Sequence, residues 1–275
     1  MTCLWVLQRI ALRFPRWRSV VASQLAGNAL GKVAPGGGAA GAALQYRMLV
    51  SAGTRPAVTV SGLTAANLLA FGVLLLLPVL ALPTIVRGGV DRHLLGAALA
   101  SIVVLVVLFA AAAVLLRSDR VLLALGRVVQ RGRNFVRRKS APLERLPQRL
   151  VAERNRILGT VGTRWRSALL AAVGRWGFDL GCLVAALEAL GERPRLGLIV
   201  LAFCAAQLLA QIPVTPGGLG FVEAGLTGTL ALAGVAGGTA VLATFAYRLC
   251  SYWLQLPLGV VGLALARRSP PVPAP

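Results

Sequence analysis

The chain has 275 residues, of which 57% are hydrophobic and 13% charged, so it is too apolar for a soluble globular protein, where roughly a quarter of residues carry charge. Its formal net charge is +21, but 14 of the 29 lysines and arginines lie between Arg117 and Arg166, and most others flank apolar runs. Aromatic residues are not interleaved with that basic run as base stacking requires, so the charge pattern favours membrane topology and anionic lipid headgroups over nucleic acid.

The first predicted element, residues 19–50, is a hairpin interrupted by a Pro-Gly-Gly turn. Its two arms, residues 20–30 and 39–50, are each too short to cross a bilayer, for which about 20 apolar residues are needed. Proline removes a backbone donor and glycine tolerates unusual backbone conformations, so the helix opens between the arms. The region therefore predicts a re-entrant or half-membrane hairpin.

Six apolar segments qualify as membrane-spanning helices if tilt and shortening at a break are allowed. They are residues 57–82, 94–116, 168–190, 196–212, 221–235 and 239–266. The fifth segment is short for a full crossing, which is typical of a discontinuous helix just after a Pro/Gly break. The expected fold is all-α: a polytopic helical membrane protein with about six transmembrane helices, broken at two Pro-Gly-Gly motifs, in one domain over residues 1–275.

Arginine asymmetry predicts the orientation, because cytoplasmic loops are enriched in lysine and arginine. Residues 117–166, the N-terminal arginines and Arg267-Arg268 should all be cytoplasmic. Six crossings satisfy this condition, since the loops at 87–92 and 192–195 then fall outside. We therefore expect a multi-pass plasma-membrane protein with both termini in the cytoplasm.

The basic segment, residues 117–166, separates the second and third predicted spans. Between Leu122 and Val136, apolar residues alternate with arginines at roughly helical spacing. This pattern favours an amphipathic helix at the cytoplasmic interface, with a solvated basic loop as the alternative. Either structure would attract acidic phospholipid.

The second interruption, residues 207–225, contains two prolines, four glycines and a carboxylate between two apolar segments. Free backbone groups in hydrocarbon cost several kcal/mol each unless protein or a water-filled cavity satisfies them, so a broken helix at this depth indicates a site. Paired interrupted segments are typical of transporters built from repeats. Little else aligns between the two halves, so true internal symmetry and coincidence both stay open.

Charged residues accompany the second interruption. Glu223 begins the following helix, where it could cap that helix and pair with Arg248, or act in proton coupling or contact with a cationic headgroup. Arg248 lies roughly 13 Å into the last span, where its fork suits phosphate or a salt bridge to Glu223 or Asp179. Arg175 and Asp179 are one helical turn apart and could neutralise each other.

The residues predicted to line a lipid-headgroup cavity lie at the two breaks or on the helices that lead into them. They are Arg248, Glu223, Gly217, Gly218, Gly220, Thr215, Gln211, Gln207, Asn28, Lys32, Arg47, Pro35, Gly36 and Gly37. No metal site is expected, because His93 is alone and the four cysteines lack C-x-x-C spacing. No catalytic constellation and no ATP-binding G-x-x-x-x-G-K-[ST] motif is visible, so neither an enzyme nor a cofactor is expected.

The motifs resemble those of the lysylphosphatidylglycerol synthase transmembrane family of flippase-like integral membrane proteins. The resemblance is carried by residues 213–225, Gly234-Val235, Tyr247-Arg248-Leu249 and Tyr252-Trp253, and upstream by Asn28, residues 34–37, residues 46–49 and Gly53. Family members usually carry further membrane helix ahead of the first motif, whereas a broken, arginine-rich stretch precedes Asn28 here.

The resemblance implies a membrane domain that binds a lipid with a polar headgroup and helps to move it between leaflets. In bifunctional members this domain precedes a cytosolic aminoacyl transferase domain that transfers lysine from lysyl-tRNA to phosphatidylglycerol. The chain stops at Pro275, nine residues after the last span, so synthase activity is not expected.

The leading interpretation is an integral plasma-membrane protein that binds an anionic phospholipid or other lipid and assists its translocation. In this interpretation, Arg248 binds the phosphate of the lipid. Glu223 modulates headgroup binding or couples lipid movement to proton transfer. The alternative is a non-transporting membrane anchor or regulator, whose partner is a cell-envelope enzyme reached through the basic segment.

Overall fold

The computed structural model describes residues 2–12, 17–34, 37–81, 110, 114, 117–136, 146–211 and 215–267. Within these ranges the regular structure is helical, and the chain is an all-α, polytopic membrane protein. Several predicted features lie outside the described residues. They are nearly all of the second span (94–116), the loop at 87–92, His93, Pro35, Gly36, Pro213 and Arg268.

The chain divides into two compact units, Met1–Val90 with Arg164–Pro275, and Asp91–Thr163. The larger unit contains α1 (Thr2–Leu12), α2 (Trp17–Val33), α3 (Gly38–Ser51), α4 (Pro56–Leu76), α7 (Trp165–Ala189), α8 (Leu196–Leu209), α9 (Phe221–Leu232), α10 (Gly237–Arg248) and α11 (Gln255–Arg267). The smaller unit contains α5 (Asp119–Val136) and α6 (Leu146–Val161). A 3₁₀ turn, Leu77–Ala81, extends α4, and a π-helical turn, Leu249–Trp253, joins α10 to α11.

Three helical stretches in the described ranges are long and apolar enough to cross a membrane. They are Pro56–Ala81, Trp165–Ala189 and Gly237–Ala266, which match the predicted first, third and sixth spans to within three residues at each end. The predicted spans at 196–212 and 221–235 are shorter apolar helices, α8 and α9, on either side of the second interruption. A helix shortened by a Pro/Gly break cannot reach full bilayer thickness by itself.

Residues 2–12 form a helix, although the arginine-rich N-terminal pattern did not predict one. Leu7 and Gln8 are buried, and α1 packs on α4 and α7. Arg9 stays partly exposed, with its guanidinium carbon 4.5 Å from the centroid of the Trp17 ring. A long cationic side chain can keep its charge accessible while its stem covers apolar surface, so an isolated arginine does not end the helix.

Helix α2 lies between α3 and α11, and glycines allow both neighbours to come close. A Cβ atom added to Gly27 would stand 2.9 Å from the carbonyl oxygen of Gly41 on α3. A Cβ atom added to Gly262 on α11 would stand 2.8 Å from the carbonyl oxygen of Ala22. Small residues of this kind let membrane helices pack backbone to backbone. The position of α2 is therefore set from two sides.

The smaller unit is a helical hairpin with basic and apolar surface. Gly126 on α5 packs against Pro147 on α6, and Arg154 forms an ion pair with Asp119. Within the part of α5 whose side chains the structure describes, four large apolar side chains are exposed: Val121, Leu125, Val128 and Val129. Their spacing places them along one stripe of the helix, next to arginines.

Gly41→Ala should destabilise the larger unit, because the new Cβ would meet the backbone of Gly27. Overpacking of this kind costs about 1–3 kcal/mol. The measurement is the temperature at which half of the monodisperse protein is lost in mild detergent. Gly38→Ala on the same helix is the matched control, since nothing lies within 4 Å of its added Cβ, and it should be neutral. Equal melting temperatures for the two variants would contradict the close packing.

Candidate functional site

A polar cavity of about 690 Å³ lies inside the larger unit. This volume is in the range of pockets that hold small molecules. The lining includes three cationic side chains, Lys32, Arg175 and Arg248, and one carboxylate, Asp179. Ionisable groups within membrane-spanning helices are costly and generally face such cavities. The cavity is therefore the candidate functional site.

The second interruption forms one wall of the cavity. Between α8 and α9, Gly217, Gly218 and Gly220 have φ angles of 61°, 70° and 80°. Residues with a Cβ rarely adopt such angles, so these glycines permit the turn. A Cβ atom on Gly217 would also stand 2.6 Å from the carbonyl oxygen of Lys32. The interruption thus packs directly on the C-terminal end of α2, where the first predicted break follows.

Arg248 is 6% exposed and is held by groups of the protein itself. Its Nε donates to Glu223 Oε1 at 2.5 Å, and its Nη2 donates to the Gly217 carbonyl oxygen at 3.3 Å. Of the two carboxylates considered for Arg248, the structure pairs it with Glu223, which does not line the cavity. The guanidinium group is therefore largely occupied, and it fixes α10 to the second interruption.

Lys32 and Tyr252 connect α2 to the π-helical turn. Lys32 Nζ donates to the carbonyl oxygen of Ser251 and lies 5.0 Å from the Tyr252 ring centroid. The Tyr252 hydroxyl donates in return to the Lys32 carbonyl oxygen at 3.1 Å. Arg248 stacks on the same ring, with its guanidinium carbon 4.6 Å from the centroid. One tyrosine thus holds two cations at one end of the cavity.

The sequence did not predict the π-helical turn, since residues 239–266 were expected to form one continuous helix. The turn is marked by a backbone bond from Leu254 N to Leu249 O, five residues back, at 2.9 Å. No proline or glycine lies between 249 and 253 to signal it. The Ser251 carbonyl instead accepts from Lys32, a contact made only in the folded chain. Single π turns often occur at functional sites.

Arg175 and Asp179 both line the cavity, but they do not form the predicted ion pair. Asp179 Oδ2 instead accepts from Gln207 Nε2 at 3.1 Å, and the same nitrogen donates to the Tyr247 hydroxyl at 2.7 Å. The Arg175 guanidinium carbon stands 4.4 Å from the Trp176 ring centroid. Because Arg175 stacks on this ring and Gln207 holds Asp179, the two charges interact only at longer range.

Arg175 forms no hydrogen bond or ion pair with any residue that the structure describes. The neighbouring Trp176 is fixed, because its Nε1 donates to the carbonyl oxygen of Ala70 at 2.6 Å. Arg175 is therefore a positioned cation whose donors face the cavity.

A chain of carboxamides forms the other end of the cavity. Gln45 Nε2 on α3 donates to Gln8 Oε1 on α1 at 2.8 Å and to Gln24 Oε1 on α2 at 2.5 Å. Gln24 Nε2 then donates to Asn28 Oδ1 at 3.0 Å. Of these residues only Asn28 was predicted. The four-residue spacing of Gln24 and Asn28 was an available signal, but the contributions of α1 and α3 depend on tertiary packing.

Eight of the predicted residues line the cavity: Asn28, Lys32, Arg175, Asp179, Gln207, Gln211, Gly217 and Arg248. The others lie elsewhere in the described chain. Glu223 pairs with Arg248, Arg47 is exposed on α3, and Gly37 precedes α3. Gly218 and Gly220 shape the turn, in which the Thr215 hydroxyl donates to the Leu219 carbonyl oxygen at 2.9 Å. Pro35 and Gly36 lie outside the described residues.

No group of three or more His, Cys, Asp or Glu side chains that could hold a metal occurs among residues for which the structure gives a position. The polar groups in the described lining of the cavity are its cations, the carboxylate of Asp179 and its amides.

Comparison with known proteins gives a match over most of the chain. A family model described as "Lysylphosphatidylglycerol synthase TM region" matches residues 4–259. Comparisons with the curated proteins and with the solved structures found no match. The matched range includes every residue in the described lining of the cavity. The chain is therefore a member of the lysylphosphatidylglycerol synthase transmembrane-region family.

Proposed function

We propose that this protein binds the phosphate headgroup of an anionic lipid in the cavity of the larger unit and helps that lipid pass between the leaflets of the plasma membrane. The observation that carries the proposal is Arg175, a positioned cation in a membrane-spanning helix without a hydrogen-bond partner in the described chain. A charge buried away from water needs a partner of opposite sign. A ligand phosphate would supply that partner.

The balance of charges in the cavity supports an anionic ligand. Lys32, Arg175 and Arg248 face it, whereas Asp179 is the only carboxylate among the described lining residues. Glu223, behind the lining, offsets much of the charge of Arg248. Lys32 and Arg175 are then the cations available to a ligand, and an arginine fork can bind two phosphate oxygens at once.

The assignment of roles therefore differs from the one expected from the sequence. Arg175 takes the phosphate-binding role that was predicted for Arg248, because Arg248 is already bonded to Glu223 and Gly217. Arg248 and Glu223 act as a structural pair that holds the second interruption against α10. Lys32 adds a second positive charge to the lining of the cavity.

The proposal of translocation rests on the helix interruptions that lie beside the charged residues of the cavity. In transporters, discontinuous helices place backbone groups at a substrate site near the middle of the bilayer. Here α8 ends and α9 begins next to the cavity, and the π-helical turn borders it. The arginine asymmetry further supports a plasma-membrane orientation with both termini cytoplasmic.

A second candidate function is a non-transporting membrane anchor or regulator of a cell-envelope enzyme. The observation that favours it is the exposed apolar stripe of α5, flanked by arginines, in the smaller unit. Under this alternative, Val128→Ser with Val129→Ser would abolish the cellular phenotype, and cavity variants would leave it unchanged.

Arg175→Gln should weaken binding of dioctanoyl phosphatidylglycerol to the purified protein. Loss of charge-assisted hydrogen bonds worth about 1.5–3 kcal/mol corresponds to roughly a 10- to 100-fold rise in Kd. Titration in detergent micelles measures the Kd. Arg166→Gln is the matched control, because Arg166 lies on the same helix, is exposed and is outside the cavity lining. The proposal fails if both variants bind as the wild type does.

Lipid exchange between leaflets should follow the same pattern. In proteoliposomes that carry a fluorescent anionic phospholipid, the wild type and Arg166→Gln should expose the inner-leaflet label to an external quencher. Arg175→Gln should slow this exposure about tenfold, in line with its weaker binding. Exchange no faster than in protein-free vesicles for every form of the protein would argue for the anchor function.

Glu223→Leu should lower stability by about 3 kcal/mol, because it leaves the guanidinium of Arg248 buried without its carboxylate. The double variant Glu223→Leu/Arg248→Met should recover most of this loss, since replacing both members of a buried pair is often neutral. Thermal unfolding in detergent measures both effects. If the double variant is less stable than Glu223→Leu alone, the pair does not have this structural role.

A further inference from the structure

Asp179 is a charged group of the cavity that the proposed function leaves unused. It lies near the middle of α7, a helix long and apolar enough to cross the membrane, and it lines the cavity. A carboxylate at this depth is costly to maintain, and such groups generally serve ion or substrate pathways. The role of Asp179 is therefore to be sought in the events that take place inside the cavity.

Neutral polar groups hold Asp179 in place without cancelling its charge. Gln207 Nε2 donates to Oδ2 of Asp179 at 3.1 Å and to the Tyr247 hydroxyl at 2.7 Å, and this hydroxyl lies against the same carboxylate. Beside the hydroxyl is Ser251, whose buried Oγ has no hydrogen-bond partner in the described chain. Hydroxyl groups both donate and accept. The cluster can therefore accommodate Asp179 as a carboxylate or as a carboxylic acid.

Two cations act on Asp179 through space. Arg175 lies one helical turn away on α7, and Lys32 approaches from α2. The other titratable side chains that face Asp179 from the described residues are Tyr247 of α10 and Cys182 of α7. Helices α1, α4 and α8 also pack on α7, but their residues in the described lining are uncharged. Arg175 and Lys32 are therefore the positive charges that balance the carboxylate.

The proposed phosphate site uses the same two cations. Side chains four residues apart on a helix have Cβ atoms about 6 Å apart, so a phosphate on Arg175 would stand close to Asp179. The protein around the cavity screens charges less than water does. Two anions would then share the cations that a single carboxylate has in the ligand-free protein. A bound phosphate therefore favours the neutral form of Asp179.

We infer that Asp179 is a proton-binding site coupled to the lipid: it takes up a proton when an anionic headgroup binds at Arg175 and releases the proton when the headgroup leaves. The proton comes from the aqueous solution and bonds to a carboxylate oxygen. The inference rests on the proposed function, because it takes Arg175 as the phosphate site.

The coupling has two physical consequences. Because coupling between two sites is reciprocal, a lower pH tightens headgroup binding until Asp179 is protonated in the ligand-free protein as well. A singly charged headgroup and one proton together carry no net charge, so their joint movement does no work against the membrane potential. A proton gradient can then drive the lipid from one leaflet to the other.

Titration of the purified full chain in neutral detergent with dioctanoyl phosphatidylglycerol tests the inference, because this lipid has no group that titrates near neutral pH. The Kd of the wild type should fall as the pH is lowered from about 7 to about 5, by at most about tenfold per pH unit for one proton. Calorimetric titrations in two buffers of different ionisation enthalpy count the protons. Binding should take up about half a proton or more per lipid.

Asp179→Asn imitates the neutral carboxylic acid. At about pH 7 it should bind the lipid roughly tenfold more tightly than the wild type, without proton uptake. Asp179→Glu keeps a titratable group and should retain the uptake. Glu188→Gln is the matched control and should behave as the wild type, because Glu188 is on the same helix, exposed and outside the cavity lining. Lys32 is present in every variant, so any pH effect of its own is common to all of them.

The outcomes separate this inference from the proposed function. Lipid binding without proton uptake by the wild type, or with equal uptake by the wild type and Asp179→Asn, overturns the coupling and leaves the phosphate site intact. An affinity that falls as the pH is lowered also overturns the coupling. If the lipid binds at no pH, or if Arg175→Gln binds it as the wild type does, both proposals fail.

Discussion

The structure of the cavity depends on the close approach of α2 to its neighbours on both sides. Glycines 27 and 41 bring α3 against one side, and glycines 259 and 262 bring α11 against the other. With its axis fixed in this way, α2 directs Gln24, Asn28 and Lys32 into one space. It also brings Lys32 to the Ser251 carbonyl and its own backbone to Gly217. The contacts of α2 with Gly217 and Ser251, which lie in the other half of the sequence, therefore depend on where α2 is held.

The charges of the cavity fall into two kinds, and hydrogen bonding separates them. Arg248 and Glu223 are bonded to each other, and the pair joins α10 to the start of α9. Arg175 stacks on a fixed tryptophan and keeps its donors accessible. A buried pair is weak support for stability, whereas a positioned cation without a partner is costly to maintain. This contrast is the physical reason for assigning the ligand to Arg175.

The sequence alone predicted the features that depend on composition and periodicity. The spans at 57–82, 168–190 and 239–266 and the all-α class follow from apolar length. The family was indicated separately, by the motifs at residues 213–225 and 247–253 and around the first Pro-Gly-Gly turn. It did not predict α1, because arginines mask its apolar face. The π-helical turn, the amide chain and the separation of Arg175 from Asp179 were also missed, because each depends on side chains from other helices. Residue types at the site were therefore more predictable than their pairing.

The π-helical turn also has a consequence for chain length. Such a turn contains one residue more than the α-helical turn that it replaces, so every position in α11 is displaced by one along the helix. Gly259 and Gly262 meet α2 in that displaced phase. Removing one residue between 249 and 253 would rotate α11 by about 100° and direct bulkier side chains at α2. The extra residue thus sets the rotational phase between the helix that carries Arg248 and the helix that packs against α2.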